Sequence, residues 1–206
     1  MLYNSYQTVR SQGAAMLDKS VPYAGFYMRR EAGKQLPSFP LPDGYGFVLF
    51  SDGDEENWAG IEASVLEFDN EFAALLHFKK EYIPYRDELG RRCVFVVNET
   101  GEKIATSMAW WRVVENKRRA WLSWVAVKPE HQGLGLGKAV VSEGARLLAV
   151  LNGDVDFYLS TQTWSYKAVG IYNLFGFTPV NEKALYNRKG DNYEKAMRIL
   201  KKIRTY

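Results

Sequence analysis

In its second half the chain reads Val125-Ala126-Val127-Lys128-Pro129-Glu130-His131-Gln132-Gly133-Leu134-Gly135-Leu136-Gly137-Lys138-Ala139. The apolar residues predict a strand that ends at Val127, and the pattern after the glycines predicts a helix that begins near Leu136. Glycine at alternate positions between them removes the side chains that would keep a ligand away from the backbone. Because the amides of such a loop point inward and the helix adds its positive end, the stretch predicts a site for a diphosphate.

Other interpretations of this loop differ from it in spacing or in ligand. The dinucleotide loop of an NAD-dependent oxidoreductase needs Gly-x-Gly-x-x-Gly directly after a parallel strand. Here five residues separate Val127 from Gly133, and the third glycine comes too early. A nucleotide P-loop needs serine or threonine where Ala139 stands. A glycine-rich turn that binds no ligand stays open on this stretch alone, with Lys138 either a nearby cation or a solvated side chain.

The composition is that of an ordinary globular domain, with 206 residues of which 47% are hydrophobic and 25% charged. The net charge of +3 is too small to indicate a nucleic-acid partner. No apolar run is long enough to cross a membrane, and the first residues lack the pattern of a signal peptide. The single cysteine, Cys93, lies in an apolar run and is expected to be a buried structural thiol. We therefore expect a cytoplasmic protein without a metal site, a membrane partner or a nucleic-acid partner.

The predicted elements are helices, then antiparallel strands, then strands alternating with helices, which together indicate one mixed α/β (α+β) domain. Short polar turns between apolar runs predict antiparallel hairpins for Arg92–Asn98, Lys103–Val114 and Ala120–Val127. The other predicted elements are a short strand within Val21–Met28, a strand at Tyr45–Phe50, a helix with Trp58, Ile61, Val65 and Leu66 on its inner face, a helix capped by Asp69 with Phe72, Leu75 and Leu76 inside, a strand at Asp154–Thr161, a helix at Tyr166–Phe175, a strand opened by Gly176-Phe177-Thr178-Pro179-Val180, and a helix with a capping box from Asp191 to Glu194 that runs through Arg204.

Two motifs resemble the GNAT superfamily of N-acetyltransferases. One is the loop signature Gln/Arg-x-x-Gly-x-Gly/Ala with its Val-x-Pro lead-in, and the other is a downstream Tyr-x-x-x-Gly-Phe. The matching residues are Val125, Val127, Pro129, Gln132, Gly135, Gly137, Tyr172, Gly176 and Phe177. The resemblance implies a mostly antiparallel sheet flanked by helices, with a splayed strand pair that binds coenzyme A. It divides the chain into an N-terminal extension or first-strand region, residues 1–44, and an acetyltransferase domain, residues 45–206.

The resemblance also implies roles for individual residues. Tyr172 would protonate the departing thiolate as general acid, and the amide near Val125 would polarise the thioester carbonyl. Ser165 stands where many relatives have an asparagine that contacts the cofactor. The residues expected to bind acetyl-CoA are Val125, Ala126, Val127, Gln132, Gly133, Leu134, Gly135, Leu136, Gly137, Lys138 and Ser165.

The general base is not identified by the resemblance. Relatives often carry a glutamate or histidine on the strand before the loop, but this chain has Trp121-Leu122-Ser123-Trp124 there. An amine with a pKa of about 10.4 is protonated at neutral pH and must lose a proton before it attacks. The open alternatives are Glu62, Glu67, Glu71 or water held by Ser123, although each glutamate is expected to lie on a solvated helix face. His77 is expected to be structural, and His131 to lie at the surface or beside the phosphates.

The sequence thus predicts an acetyl-CoA-dependent N-acetyltransferase that acts on a primary amine of a small molecule or a peptide. The alternative is a degenerate acyl-CoA-binding module that senses and does not catalyse. The resemblance allows a homodimer, because exposed strand edges in this fold often pair. An acidic and aromatic cleft is expected to attract a cationic amine. Its expected residues are Asp52, Asp54, Glu55, Glu56, Glu62, Trp58 and Phe68, with some of Trp110, Trp111, Trp121 and Trp124 lining a face.

Overall fold

The computed structural model describes residues 17–186 and 189–203. The strands are β1 (Gly25–Arg30), β2 (Gly46–Leu49), β3 (Cys93–Val97), β4 (Lys103–Val114), β5 (Lys117–Val127), β6 (Phe157–Gln162) and β7 (Thr178–Val180). The helices are α1 (Asp54–Ser64), α2 (Glu71–Glu81), α3 (Arg86–Arg92), α4 (Leu136–Asn152), α5 (Tyr166–Leu174) and α6 (Tyr193–Ile203).

The strands form one seven-stranded sheet in the order β2-β3-β4-β5-β6-β1-β7. Neighbouring strands are antiparallel except for β5 and β6, which are parallel. This confirms the predicted mixed, mostly antiparallel sheet flanked by helices. The strand β1 comes from the segment before residue 45 and lies between β6 and β7, so that segment contributes to the same sheet. The division at residues 44 and 45 stays a prediction.

Helices cover both faces of the sheet. On one face, Trp58 of α1 and Phe78 of α2 are fully buried against β3 and β4. On the other face, α4 buries Val141, Ala145 and Leu148. This helix approaches the sheet closely at Gly144, where a Cβ would lie 2.7 Å from Leu122 Cδ1 and would also meet Ser107 Oγ. The predicted buried thiol is confirmed as well, since Cys93 is 0% exposed and burial raises its pKa.

The predicted inner face of α2 is wrong for Phe72 and Leu76, whereas Leu75 is partly buried and packs against the core as expected. Phe72 is 69% exposed and Leu76 53% exposed, whereas Ala74 and Phe78 are buried. The apolar residues between Phe72 and Phe78 cover more than one side of this helix. The spacing of apolar residues is therefore compatible with two different inner faces. The stacking of Phe78 on Phe50, with ring centroids 5.6 Å apart, belongs to the face that is buried.

Other local expectations also need correction. Asn70, not Asp69, caps α2 by accepting a hydrogen bond from the Ala73 amide. Asn192 accepts from the Lys195 amide at the start of α6, whereas Asp191 accepts from the Tyr27 hydroxyl. A side chain that reaches a partner on another strand is not available to cap its own helix.

Leu66 was expected on the inner face of the first helix, but that helix ends at Ser64. Leu66 follows it with a φ of 68° and is 46% exposed.

The chain start at Met1–Gln7 and the predicted helix end at Arg204 lie outside the described residues. Within residues 17–186 and 189–203, no helix combines the length and apolarity that a membrane span requires.

Candidate active site

The centre of the molecule is a gap between β5 and β6. In the described chain their parallel ladder consists of two pairs, Ala120 with Phe157 and Trp121 with Tyr158. Beyond these pairs the strands separate, although β5 continues to Val127 and β6 to Gln162. Unpaired strand edges therefore face each other across a cleft, as the resemblance implied for the splayed pair.

A β-bulge shapes the β5 side of the cleft. Thr106 pairs with Ala126 and Met108 with Ser123, so Trp124 and Val125 together oppose one residue of β4. Trp124 has a φ of 52°, an uncommon conformation for a residue with a side chain. Such a bulge re-aims side chains, and both Trp124 and Val125 line the cavity described below.

The glycine loop follows β5 after a short 3₁₀ turn, Pro129–His131. Gly133 and Gly135 have φ values of 84° and 85°, with no atom within 4 Å of a Cβ added at either position. The Gln132 side chain donates a hydrogen bond of 2.9 Å to the Val127 carbonyl and thereby ties the loop to the end of β5. The side-chain-free surface of this loop fits the expectation that a ligand approaches the backbone.

Some loop amides are already bonded within the chain. The amide of Gln132 donates to the Pro129 carbonyl at 3.3 Å, and that of Lys138 donates to the Gly135 carbonyl at 3.0 Å. Among the amides between them, those of Gly135, Leu136 and Gly137 open helix α4, and a helix leaves its first N–H groups without intrahelical partners. The expected diphosphate contacts therefore concentrate on residues 133–137.

A cavity of about 400 Å³ lies over this loop. Its walls combine the glycines with Val127, Lys138 and Ile171. The Lys138 ammonium also lies 5.6 Å from the centre of the Phe39 ring. This cavity has the open backbone and the nearby cation that a diphosphate would need.

A second cavity, of about 450 Å³, occupies the cleft itself, and we call it the reaction cavity. Ala168 of α5 lines both cavities, so the two are neighbours along the same helix. The reaction cavity is lined by Glu62, Glu67, His77, Arg112, Leu122, Ser123, Trp124, Val125, Ser160, Thr161, Gln162, Ser165, Ala168 and Tyr172. The structure thus brings together the predicted pair Tyr172 and Val125, with Ser165 beside them.

Glu62 is the most unusual residue of the reaction cavity. It is 1% exposed, and its Oε1 has no hydrogen-bond partner among the described residues. Burial raises the pKa of this carboxyl well above its ordinary value, and the negative charge of Glu67 adds to the shift. The expectation that Glu62 lies on a solvated helix face was therefore wrong, because that face of α1 packs onto the sheet.

Glu67 and Tyr172 line the reaction cavity together with Glu62, and the pKa of each of the three groups is raised. Glu67 lies in the loop between α1 and α2 and stays accessible to solvent. Desolvation raises its pKa, while a hydrogen bond of 3.1 Å from Gln162 Nε2 opposes the rise. Tyr172 is 8% exposed, and burial followed by the charges of Glu67 and Glu62 raises its pKa. The phenol therefore keeps its proton at neutral pH.

Aromatic residues form one wall of the reaction cavity. The rings of His77 and Trp124 lie 5.2 Å apart, and Phe68 stacks on Trp124 at 5.6 Å. Trp124 also donates its indole N–H to the Tyr82 hydroxyl. The expected structural role of His77 stays a prediction, and the residue also lines the reaction cavity. Its position between Leu76 and Phe78 in the sequence gave no signal of this.

Most residues of the expected acidic and aromatic cleft lie elsewhere. Asp54 is buried and pairs with Lys103 at 2.8 Å, and Asp52 pairs with Arg86 at 2.8 Å. Trp58 is fully buried behind Trp124. Glu62 and Trp124 remain from that set in the lining of the reaction cavity. The sequence does not show which of the charges near α1 are neutralised by ion pairs within the chain.

The remaining sequence candidates divide in the same way. Glu71 is exposed on α2 and is not part of the cavity lining. The side chains of Ala126 and Leu136 are buried in the core, whereas Leu134 is 49% exposed. Any contact of Ala126 or Leu136 with a ligand would therefore use the backbone. His131 closes a short 3₁₀ turn, Pro129–His131, just before the loop.

Comparisons with known proteins agree with this geometry. A mycothiol acetyltransferase of Streptomyces bingchenggensis is 29% identical over 167 residues, covering 77% of this chain and 52% of the relative. A solved GCN5-related N-acetyltransferase from Sphaerobacter thermophilus superposes with a TM-score of 0.60 at 18% identity, covering 78% of this chain and 49% of that one. A GNAT-family acetyltransferase from Colwellia psychrerythraea gives 0.56 at 14% identity, covering 77% and 54%. The chain thus spans about half the length of the relatives it matches.

At these identities the solved structures show a shared fold. The family itself is shown by the match of residues 62–177, more than half of the 206 residues, to the acetyltransferase (GNAT) family. The matched segment includes the split strands, the glycine loop and Tyr172. The chain belongs to the acetyltransferase (GNAT) family.

Proposed function

We propose that the protein transfers the acetyl group of acetyl-CoA to a primary amine of a small molecule or a peptide. The observation that carries this proposal is the joint position of Glu62 and Tyr172. Both are buried, and both line the cavity in the gap between β5 and β6. The neighbouring cavity over the glycine loop supplies a place for the diphosphate of the acetyl donor.

The donor side is assigned to backbone groups. The amides of residues 133–137 would hold the diphosphate, with Lys138 as a nearby cation. The strand edge at Val125 and Val127 would hold the pantetheine arm, and the Val125 amide would polarise the thioester carbonyl. Ser165, buried beside Tyr172, would contact the same arm. Acetyl-CoA supplies an activated acyl group, which the protein needs only to bind and orient.

The acceptor side is assigned to the two carboxyls. Glu67, at the accessible edge of the reaction cavity, would receive the acceptor as an ammonium. Glu62 would then take one proton from that ammonium. Burial raises the pKa of this carboxyl, which makes it a stronger base than an exposed glutamate.

Proton and bond changes balance without a further reactant. The nitrogen–carbon bond to the acetyl group forms as the carbon–sulfur bond breaks. The acceptor ammonium gives its first proton to Glu62 before the attack. Tyr172 donates its proton to the sulfur that leaves, and the second proton lost by the nitrogen restores Tyr172. Glu62 then releases its proton to solvent, so that one proton is set free in each turnover. Burial and the neighbouring carboxylates keep this phenol protonated, so that its proton is present when the sulfur leaves. The mycothiol acetyltransferase relative supports acetyl transfer as the type of reaction.

The test is an assay of acetyl-CoA with a panel of primary amines, hydroxyl compounds and thiols. Release of free coenzyme A thiol must be matched by the mass of an acetylated product. We expect N-acetyl products from amines and none from alcohols. Binding of acetyl-CoA without any product would show instead a degenerate acyl-CoA-binding module, and the absence of binding would refute the donor site as well.

A further inference from the structure

The reaction cavity and another cavity share the side chain of Arg112 in their linings. This cavity, of about 380 Å³, is lined by Tyr27, Arg112, Val114, Trp121 and Leu185 together with neighbouring residues. We call it the distal cavity. Arg112 lines both the reaction cavity and the distal cavity. An acceptor that enters the reaction cavity can therefore reach Arg112.

The position of Arg112 is fixed by its neighbours. It is half-buried on β4, and its guanidinium carbon lies 4.6 Å from the centre of the Trp121 ring. Trp121 is itself 1% exposed and stacks on Tyr158 at 5.7 Å. A guanidinium that lies against a buried ring is held in one orientation, so less freedom is lost when it binds a ligand.

Arg112 is the only arginine or lysine in the lining of these two cavities within the described chain. Glu115, which also borders the distal cavity, pairs with Arg119 at 3.4 Å. A guanidinium carries five N–H donors, so it can bind an anionic oxygen pair in addition to its contacts within the chain. Arg112 lies against Trp121, where β5 and β6 still pair, whereas Glu67 is hydrogen-bonded to Gln162 at the far end of β6. The reaction cavity thus has a carboxyl toward one end and a cation toward the other.

We propose that the acceptor is a bipolar molecule, an amine that also bears an anionic oxygen group, carboxylate or phosphate, which Arg112 binds. The proposal rests on the proposed function and names the class of acceptor. Its ammonium would lie at Glu67 and Glu62, and its anion at Arg112. A plain alkylamine would offer Arg112 no anion, and a diamine would place a second ammonium beside it.

The test compares acceptors matched in length. Straight-chain ω-amino carboxylic acids with two to about six carbons, and O-phosphorylethanolamine, are each paired with the alkylamine and the diamine of the same length. The value measured is the ratio of kcat/KM for the anionic acceptor to that for its alkylamine. We expect a ratio of about 10 to 100 for the acceptor whose length spans the site. Hydrogen bonds to a charged group change affinity by about this factor. The carboxylate and phosphate arms show which anion fits.

The Arg112→Gln variant should reduce that ratio about tenfold or more, chiefly through a higher KM for the anionic acceptor, and Arg112→Lys should retain part of it. Arg118→Gln is the matched control. Arg118 lies 4.7 Å from the ring centre of Trp111 and is not part of either cavity lining. Its substitution removes the same charge as that of Arg112. The control should keep the wild-type ratio.

Equal use of anionic acceptors and alkylamines by the wild type, or a preference for diamines, would overturn the proposal while leaving amine acetylation intact. A ratio that Arg112→Gln does not change would overturn it too. If no amine is acetylated at all, the proposed function fails first and this inference fails with it. Melting temperature and coenzyme A affinity of each variant show whether it is folded.

Discussion

The side-chain amide of Gln162 donates a hydrogen bond of 3.1 Å to Oε1 of Glu67 and so links the end of β6 to the loop between α1 and α2. Both residues line the reaction cavity. The link fixes the carboxyl that we assign to the incoming ammonium, at a point where no regular secondary structure supports it.

Replacing Gln162 with methionine should therefore weaken acceptor binding more than it slows the reaction. We expect the KM for the amine to rise about five- to tenfold, since one such hydrogen bond contributes about 1 kcal/mol. The kcat should change little. Steady-state kinetics with varied amine at saturating acetyl-CoA measures both values. A lower kcat with an unchanged KM would contradict the assigned role of Glu67, for which Glu67→Gln is the direct comparison.

Glu62→Gln should remove the base and lower kcat/KM by about 10²- to 10⁴-fold. In the wild type, the fall of kcat/KM on the acid side should occur at a pH well above the ordinary pKa of a glutamate, because burial raises the pKa of Glu62. That fall should be absent or displaced in the variant. A wild-type profile that stays flat down to about pH 5 would contradict Glu62 as the base.

The same shift has a consequence for stability. A carboxyl whose pKa is raised in the folded state favours the fold while protonated, and this stability is lost as the pH rises above its unfolded value. Glu62→Gln removes the ionisation, so its melting temperature should exceed that of the wild type at about pH 8. The two should converge near pH 4. The matched Glu71→Gln change, at an exposed site, should show no such difference.

Gly135→Ala should weaken binding of coenzyme A about tenfold, because the φ of 85° strains any side chain and the new methyl group occupies the loop cavity. Gly33→Ala is the control. It has a φ of 75° and equally open surroundings, but its amide bonds to Asp154, beyond the opposite end of α4. Calorimetric titration should show the loss of affinity for Gly135→Ala alone. Equal affinities would contradict the loop as the diphosphate site.

Gly144→Ala should destabilise the fold by about 1–3 kcal/mol, because the methyl group would press α4 away from Ser107 and Leu122. Gly170→Ala, in helix α5 with no atom within 4 Å of the added Cβ, should be neutral or slightly stabilising. Chemical denaturation of both variants measures the difference in the free energy of unfolding. Equal stability would mean that α4 does not pack as closely as described.

The sequence predicts the middle of this fold well, because local signals decide it there. Lys103–Val114 is bounded by turns on both sides and matches β4 residue for residue. The glycines likewise mark the start of α4. The insertion of β1 between β6 and β7 is different, since it depends on pairing between segments far apart in the chain. No period or turn in the sequence indicates it.

The sequence likewise predicts only some of the residues that line the reaction cavity. Tyr172 and Val125 were found through motifs. Glu62 was named only as one glutamate among several, because its burial results from the way α1 packs on the sheet. Arg112 and Gln162 gave no signal, since a strand arginine and a strand-end glutamine are ordinary at the level of the sequence. Their roles depend on the gap between β5 and β6.

The central claim is that an amine receives its acetyl group in this gap, with Tyr172 as the acid. The most direct measurement is thiol release from acetyl-CoA together with the mass of the N-acetyl product, for wild type, Tyr172→Phe and the control Tyr166→Phe on the same helix. We expect Tyr172→Phe to lose about 10²-fold or more in kcat while it retains its affinity for coenzyme A, and Tyr166→Phe to retain wild-type turnover. Undiminished turnover by Tyr172→Phe, or no acetylated amine from the wild type, would contradict the claim.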